Sequence, residues 1–219
     1  MTVRGDWYMA QSQFTAANDV YQQAFELSPN SQTVSTLFRA RTVNSEVPKA
    51  LALMEQWLVD NPEDLAPRQL YARLLMRERQ WEKARDAYEA LRDKGVTDSY
   101  ALNNLAIAYQ HLGDKRALEA AQLAWERSPQ NARIIDTYGW ILAQNGDAKK
   151  GLRLLRQAYS RLSSEPAIRY HIGLALLRIA GRDSEAREEL KAALVAQGAT
   201  PAPWVEAARK TLNAIGKAN

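Results

Sequence analysis

Small and apolar residues recur along this chain at an almost constant interval. One series has spacings of 33, 34, 33, 34 and 35 residues and consists of Ala17, Ala50, Ala84, Ala117, Gly151 and Ala186. A second series follows seven residues later and consists of Ala24, Trp57, Leu91, Ala124, Ala158 and Ala193. Residues seven apart lie on one face of an α-helix. The two series therefore predict one buried helix face in each repeat of the chain.

Prolines and glycines divide the same repeats. They are Pro29, Pro62 and Pro129 at the ends of repeats, and Gly113, Gly146 and Gly181 before the second helix of theirs. Glycine after a periodic segment ends a helix, and proline beyond it prevents the helix from continuing. Each repeat is therefore predicted to fold as helix, turn, helix.

A helix-turn-helix repeat of this length resembles the tetratricopeptide repeat. In the fourth repeat Ala106, Tyr109, Gly113, Ala117 and Pro129 match that family's pattern. The resemblance implies an all-α solenoid of stacked helical hairpins, wound as a right-handed superhelix and closed by a C-terminal capping helix.

The repeat positions suggest about six units followed by a cap. The predicted boundaries are 1–30 for a truncated first unit, then 31–64, 65–98, 99–131, 132–165 and 166–199, with a capping helix and tail at 200–219. The cap is predicted because Trp204, Ala208, Leu212 and Ile215 fall on one helix face. The first unit begins close to Gly5 with no capping segment before it, so we expect the chain to be a fragment of a longer array.

Gly139 lies beside Trp140 in a segment that is otherwise strongly helical. Glycine inside a helix costs about 1 kcal/mol relative to alanine. The equivalent positions in other repeats hold Ala72, Ala106 and Gly173, which are also small. We therefore predict that two helices approach each other closely at Gly139.

Charge and composition give little support for catalysis or for binding nucleic acid. The 29 basic and 25 acidic residues leave a net charge of +4 and are interleaved, as in EKARDAYEALRDK, so no nucleic-acid partner is expected. There is no cysteine, and neither His111 nor His171 has a second histidine three or four residues away. No motif for a phosphate-binding loop or a nucleophile occurs. The sequence predicts a protein that is not an enzyme and has no metal and no cofactor.

The resemblance implies that the first helices line a concave groove that binds a protein or peptide partner. Groove residues carried over from the repeat positions are Arg39, Arg73, Tyr100, Asn103, Gln110, Asp136, Trp140 and Tyr170. Arg39 and Arg73 occupy equivalent positions and could bind carboxylates or phosphates. Trp140 and Tyr170 would provide an exposed aromatic floor.

Three segments of the last hundred residues resemble a narrower family. NNLA at Asn103–Ala106, DTYGWI at Asp136–Ile141 and IRYHIGLAL at Ile168–Leu176 are similar to the exosortase (PEP-CTERM) associated tetratricopeptide lipoproteins. That resemblance implies a scaffold on the periplasmic side of a bacterial envelope, which helps to assemble or export exopolysaccharide. Membrane contact is then expected only through a missing N-terminal anchor or through a partner.

Other functions also remain open from the sequence. The chain could be a cytosolic co-chaperone or regulatory adaptor that binds peptide C-termini. It could instead bind carbohydrate directly through Trp140 and Tyr170, or associate with itself through the uncapped first unit.

Overall fold

All regular structure in the described part of the chain is helical. The computed structural model describes residues 2–198 and 202–217. The helices are α1 (Thr2–Ala10), α2 (Phe14–Leu27), α3 (Ser31–Val43), α4 (Val47–Asp60), α5 (Leu65–Arg77), α6 (Trp81–Asp93), α7 (Ser99–His111), α8 (Ala117–Arg127), α9 (Ala132–Gln144), α10 (Ala148–Arg161), α11 (Pro166–Leu176), α12 (Asp183–Ala196) and α13 (Val205–Lys217). The predicted boundary between the last repeat and the cap, at residues 199 and 200, lies outside the described residues.

The predicted turn chemistry is present at the helix ends. Gly113, Gly146 and Gly181 have φ angles of 68°, 101° and 76°, which glycine adopts without steric cost. Asn30 and Asp147 then cap α3 and α10, because their side-chain oxygens accept hydrogen bonds from backbone N–H groups of the first turn. These local preferences fix where one helix ends and the next begins.

The chain divides into two units. The N-terminal unit is Met1–Val96 and the C-terminal unit is Thr97–Asn219. In the N-terminal unit α1 packs on α2, α2 on α3 and α3 on α4, while α5 packs on α6. In the C-terminal unit the same neighbour packing runs from α7 to α13, with α13 against α12.

The periodic small residues lie in the cores of both units. Ala17 and Ala84 are fully buried in the N-terminal unit, as are Ala124 and Ala186 in the C-terminal unit. Burying these short side chains leaves room for neighbouring helices to approach, and larger residues such as Leu37 and Leu155 fill the space between them. Each of these helices is therefore held mainly by its apolar face.

The predicted close approach at Gly139 is confirmed, and its partner is Gly151. A Cβ atom placed on Gly139 would lie 3.0 Å from the carbonyl oxygen of Gly151. A Cβ atom placed on Gly151 would lie 2.5 Å from the carbonyl oxygen of Gly139 and 2.8 Å from Cβ of Ala143. Two glycines that face each other therefore allow α9 and α10 to pack backbone against backbone.

A polar triad also joins helices of the N-terminal unit. The Tyr71 hydroxyl on α5 donates to Oε1 of Glu55 on α4 at 2.8 Å. Nζ of Lys83 on α6 donates to the same oxygen at 2.6 Å. The hydrogen bond from Lys83 lowers the pKa of Glu55, against the opposing effect of burial. Burial, reinforced by Glu55, raises the pKa of Tyr71, so its hydroxyl remains a donor.

The Glu55→Gln variant is expected to lose stability only where the native carboxylate is charged. The lowered pKa of Glu55 in the folded chain means that its contribution is present at neutral pH and is lost as pH falls through the folded pKa. Because this pair is partly exposed, we expect a deficit of up to about 1 kcal/mol at neutral pH. Urea unfolding of both proteins at neutral and strongly acidic pH measures it. A deficit that persists unchanged in acid would contradict an ionic origin.

Candidate functional site

Two arginines of the N-terminal unit occupy the same repeat position on successive first helices. Arg39 is on α3 and Arg73 is on α5, and both side chains are exposed. Within residues 2–198 and 202–217, neither forms an ion pair or a hydrogen bond with another side chain. Arg41, by contrast, donates to Oε1 of Gln22 at 2.6 Å. The two guanidinium groups are thus available to an external anion.

A surface cavity adjoins Arg39. It has a volume of about 420 Å³ and is lined by Asp6, Met9, Tyr21, Gln32, Thr36, Arg39 and Ala40. The Tyr21 hydroxyl donates to Oδ1 of Asp6 at 2.6 Å. Burial, with a further contribution from Asp6, raises the pKa of Tyr21. The acidic group of this cavity is therefore already hydrogen-bonded within the protein.

Three predicted motif residues of the C-terminal unit form one cluster. Nδ1 of His171 on α11 lies 2.9 Å and 3.0 Å from the two carboxylate oxygens of Asp136 on α9. A carboxylate accepts hydrogen bonds, so this geometry places the proton on Nδ1. The imidazole also stacks on the indole of Trp140, with ring centroids 5.2 Å apart and planes 4° apart. The side chain of His171 thus holds α11 against α9, because it contacts both Asp136 and Trp140.

The structure corrects the expectation that Trp140 is an exposed aromatic floor. Its side chain is only partly exposed, because His171 is stacked against it and the guanidinium carbon of Arg178 lies 5.8 Å from its ring centroid. The repeat position alone could not indicate this cover. The sequence contains one indication of the contact between His171 and Asp136. The two residues are 35 positions apart, which is one repeat length plus one residue.

Tyr170 is covered in a similar way. Its ring stacks on that of Trp204, with centroids 5.3 Å apart and an interplanar angle of 21°. Burial raises the pKa of Tyr170. Trp204 immediately precedes α13, so the segment predicted from the sequence as a cap also supplies part of the aromatic surface.

Asn103 is the most enclosed of the predicted site residues. It lies on α7 at the repeat position of Asp136 and Tyr170, and its side chain is only 8% exposed. Its Oδ1 atom is buried and accepts no hydrogen bond from any described residue. An unsatisfied buried acceptor costs about 1–3 kcal/mol.

The remaining two predicted residues differ in availability. Tyr100 is 64% exposed, and its hydroxyl accepts a hydrogen bond from Nδ2 of Asn131 at 3.0 Å. Nε2 of Gln110 donates to Oε1 of Gln144 at 2.6 Å. Tyr100 therefore offers an open ring, whereas the amide of Gln110 already joins α7 to α9.

We call the eight residues above the first-helix surface. It has one part in each unit, namely Arg39 and Arg73 in the N-terminal unit, and Tyr100, Asn103, Gln110, Asp136, Trp140 and Tyr170 in the C-terminal unit. The first part is cationic, and the second is aromatic and polar. Among the described residues, no group of three or more His, Asp or Glu side chains could hold a metal ion. No helix in the described ranges is long and apolar enough to cross a membrane.

Solved structures similar to this one are tetratricopeptide-repeat proteins. One from Parabacteroides merdae superposes with a TM-score of 0.82 at 13% identity, over 99% of this chain and 85% of that one. The fold is the tetratricopeptide-repeat fold. YrrB, described as a tetratricopeptide protein with an unusual peptide-binding site, gives a TM-score of 0.65 at 18% identity, over 88% of this chain and 98% of that one. TTC0263 from Thermus thermophilus gives 0.61 at 22% identity, over 86% and 100%.

Similarity at these identities establishes the tetratricopeptide architecture and carries no function with it. No family profile matches the sequence, and no curated protein matches it.

Proposed function

We propose that this tetratricopeptide protein is a non-enzymatic scaffold that binds a peptide segment of a partner protein on its first-helix surface. The observation that carries the proposal is the pair Arg39 and Arg73, two exposed guanidinium groups at one repeat position with no internal partner. A guanidinium binds a carboxylate through two parallel hydrogen bonds. Two of them on neighbouring helices favour a ligand with acidic side chains.

The C-terminal part of the surface supports peptide binding by different chemistry. Tyr100 supplies an exposed aromatic ring on α7. Aromatic side chains of this kind contribute strongly to interface affinity. YrrB, which has the same fold, is itself described as having a peptide-binding site.

We further propose that the partner belongs to a bacterial envelope complex for exopolysaccharide assembly or export. Support for this narrower role comes from the three segments that resemble the exosortase-associated lipoproteins. Asp136 and Trp140 of one segment contact His171 of another. The motif residues therefore have at least a packing role, and the envelope role rests on the resemblance.

Affinity capture from the source cells tests the proposal. The wild-type protein is expected to retain an envelope protein, and the Arg39→Glu, Arg73→Glu variant is expected to lose most of it because the surface charge is reversed. The matched control is Lys149→Glu, Arg161→Glu, which makes the same charge change at two exposed positions of α10. Mass spectrometry identifies the retained proteins.

Two results of this capture would count against the proposal. Equal retention by both double variants would remove Arg39 and Arg73 from the binding surface. Retention of chaperones or other cytosolic proteins alone would contradict the envelope role and would favour the adaptor hypothesis.

A further inference from the structure

Two pairs of neighbouring second helices are each joined by opposite charges at the same two repeat positions. In the N-terminal unit Glu55 on α4 accepts a hydrogen bond from Lys83 on α6 at 2.6 Å. In the C-terminal unit Arg156 on α10 forms an ion pair with Glu185 on α12. In each pair, the first residue lies five positions after the periodic small residue of its own repeat, which is Ala50 or Gly151. The second residue lies immediately before the periodic small residue of the following repeat, which is Ala84 or Ala186.

The junction between α8 and α10 lacks such a pair. Gln122 and Lys150 hold the positions that Glu55 and Lys83 hold in the N-terminal unit. Nε2 of Gln122 donates to Oε1 of Glu126 on its own helix at 2.8 Å. Lys150 is exposed and has no ion pair within the part of the chain that the structure describes. The carboxylate of the N-terminal junction is therefore missing here.

The tyrosine of the N-terminal triad is kept at this junction. Tyr138 on α9 occupies the repeat position of Tyr71 on α5, one residue before the small residue. The Tyr71 hydroxyl donates to Glu55 at 2.8 Å. The Tyr138 hydroxyl donates to no other described residue, and its side chain is largely buried. The junction between α8 and α10 thus has the tyrosine and the lysine of the triad, but it lacks the carboxylate that accepts a hydrogen bond from both.

A cavity lies where that acceptor is absent. It has a volume of about 460 Å³ and is lined by Gln122, Trp125, Tyr138, Lys150, Arg153, Leu154 and Gln157. No acidic side chain lines it, and Arg153, like Lys150, is exposed and unpaired among the described residues. The rings of Trp125 and Tyr138 stack with centroids 5.4 Å apart. Nε1 of Trp125 is buried and has no acceptor.

We propose that this cavity binds a glutamate or aspartate side chain of an acidic peptide segment, whose carboxylate takes the place that Glu55 holds in the N-terminal unit. The Tyr138 hydroxyl and Lys150 Nζ would hold the carboxylate, as Tyr71 and Lys83 hold Glu55. Arg153 adds charge complementarity. Trp125 and Leu154 give the flanking residues of the peptide an apolar wall, which a small free carboxylate would not use.

This second site shares no residue with the first-helix surface, so the two can be tested separately. The probe is a fluorescein-labelled peptide of five Gly-Glu repeats, titrated at low salt by fluorescence anisotropy. All titrations use the Arg39→Glu, Arg73→Glu background, in which the cations of the first-helix surface cannot bind the probe. Saturable binding is expected in this background.

Restoring the internal carboxylate should block the site. Gln122→Glu is expected to weaken binding of the probe about ten-fold or more, because the new carboxylate would pair with Lys150 and Tyr138. The matched control is Gln130→Glu, an equal charge change at an exposed position between α8 and α9. Lys150→Glu should weaken binding to a similar extent, whereas Lys149→Glu, its exposed neighbour, should change it less than about two-fold.

Four results would overturn the proposal. They are the absence of saturable binding, equal binding of a Gly-Gln probe, an equal loss in Lys150→Glu and Lys149→Glu, and displacement of the probe by N-acetylglutamate at the probe's own concentration. The last would show that one carboxylate suffices and that no peptide is recognised. None of these results bears on capture through Arg39 and Arg73.

Discussion

Gly151→Ala is expected to destabilise the protein, although alanine is the residue that all five other repeats carry at this position. The added methyl group would lie 2.5 Å from the carbonyl oxygen of Gly139 and 2.9 Å from the backbone nitrogen of Ala143. Backbone cannot move aside as a flexible side chain can, so α9 and α10 must separate. Overpacking of this kind costs about 3 kcal/mol, and the better helix propensity of alanine returns about 1 kcal/mol. We expect a net loss near 2 kcal/mol.

Chemical denaturation of three variants measures this effect. Gly139→Ala should cost less, since its Cβ atom would meet its nearest neighbours at 3.0 Å. Gly198→Ala is the control, because a Cβ atom there would meet nothing within 4 Å. An unfolding free energy for Gly151→Ala equal to or above that of the wild type would contradict the backbone contact between the two helices.

Trp140→Ala is expected to lower the free energy of unfolding by about 2–3 kcal/mol. Truncation of a buried tryptophan costs about 3–5 kcal/mol, and Trp140 is only partly buried. The substitution removes the ring that stacks on His171 and lies beneath Arg178. It therefore weakens the contact between α9 and α11 directly.

Trp140→Phe is the matched variant for this prediction. Phenylalanine keeps an aromatic face for His171, so we expect a loss below about 1 kcal/mol. Urea unfolding of both variants gives the comparison. If Trp140→Ala were as stable as the wild type, the stacked pair would contribute nothing to the packing of α9 on α11. Any effect of Trp140 on partner affinity should accordingly be measured with Trp140→Phe, which preserves the packing.

The repeat architecture could be predicted because it depends on features that recur along the chain. A small residue in each helix, glycine in the turns and proline between repeats appear several times each, so chance agreement at one position does not mislead. Gly139 was interpretable for the same reason. Its cost in helix stability required a compensating contact, and the facing glycine supplies that contact.

The state of each site residue could not be predicted in the same way. A repeat position gives the face on which a side chain lies and does not give what covers it. Trp140 was therefore expected to be exposed, and the structure shows it stacked on His171. Asn103 was expected to line a groove, and its side-chain oxygen is buried without a partner. The cover over Trp140 comes from a residue of the next repeat, which the position of Trp140 in its own repeat does not indicate.

The cavity at Lys150 shows a further limit of reading one repeat at a time. Gln122 is unremarkable as a surface glutamine of α8. The equivalent residue in the N-terminal unit is Glu55, whose carboxylate accepts hydrogen bonds from Tyr71 and Lys83. Only this comparison shows that the junction between α8 and α10 lacks a carboxylate. A comparison of the chain with itself, position by position at successive repeats, could have found this signal.

Isothermal titration of the captured partner tests most directly whether Arg39 and Arg73 bind an acidic partner segment. We expect the dissociation constant to rise about ten-fold or more for the Arg39→Glu, Arg73→Glu variant, which corresponds to at least about 1.4 kcal/mol. The Lys149→Glu, Arg161→Glu control should stay within about two-fold of the wild type. Equal affinities for the two double variants would contradict the claim and leave only the tetratricopeptide fold established.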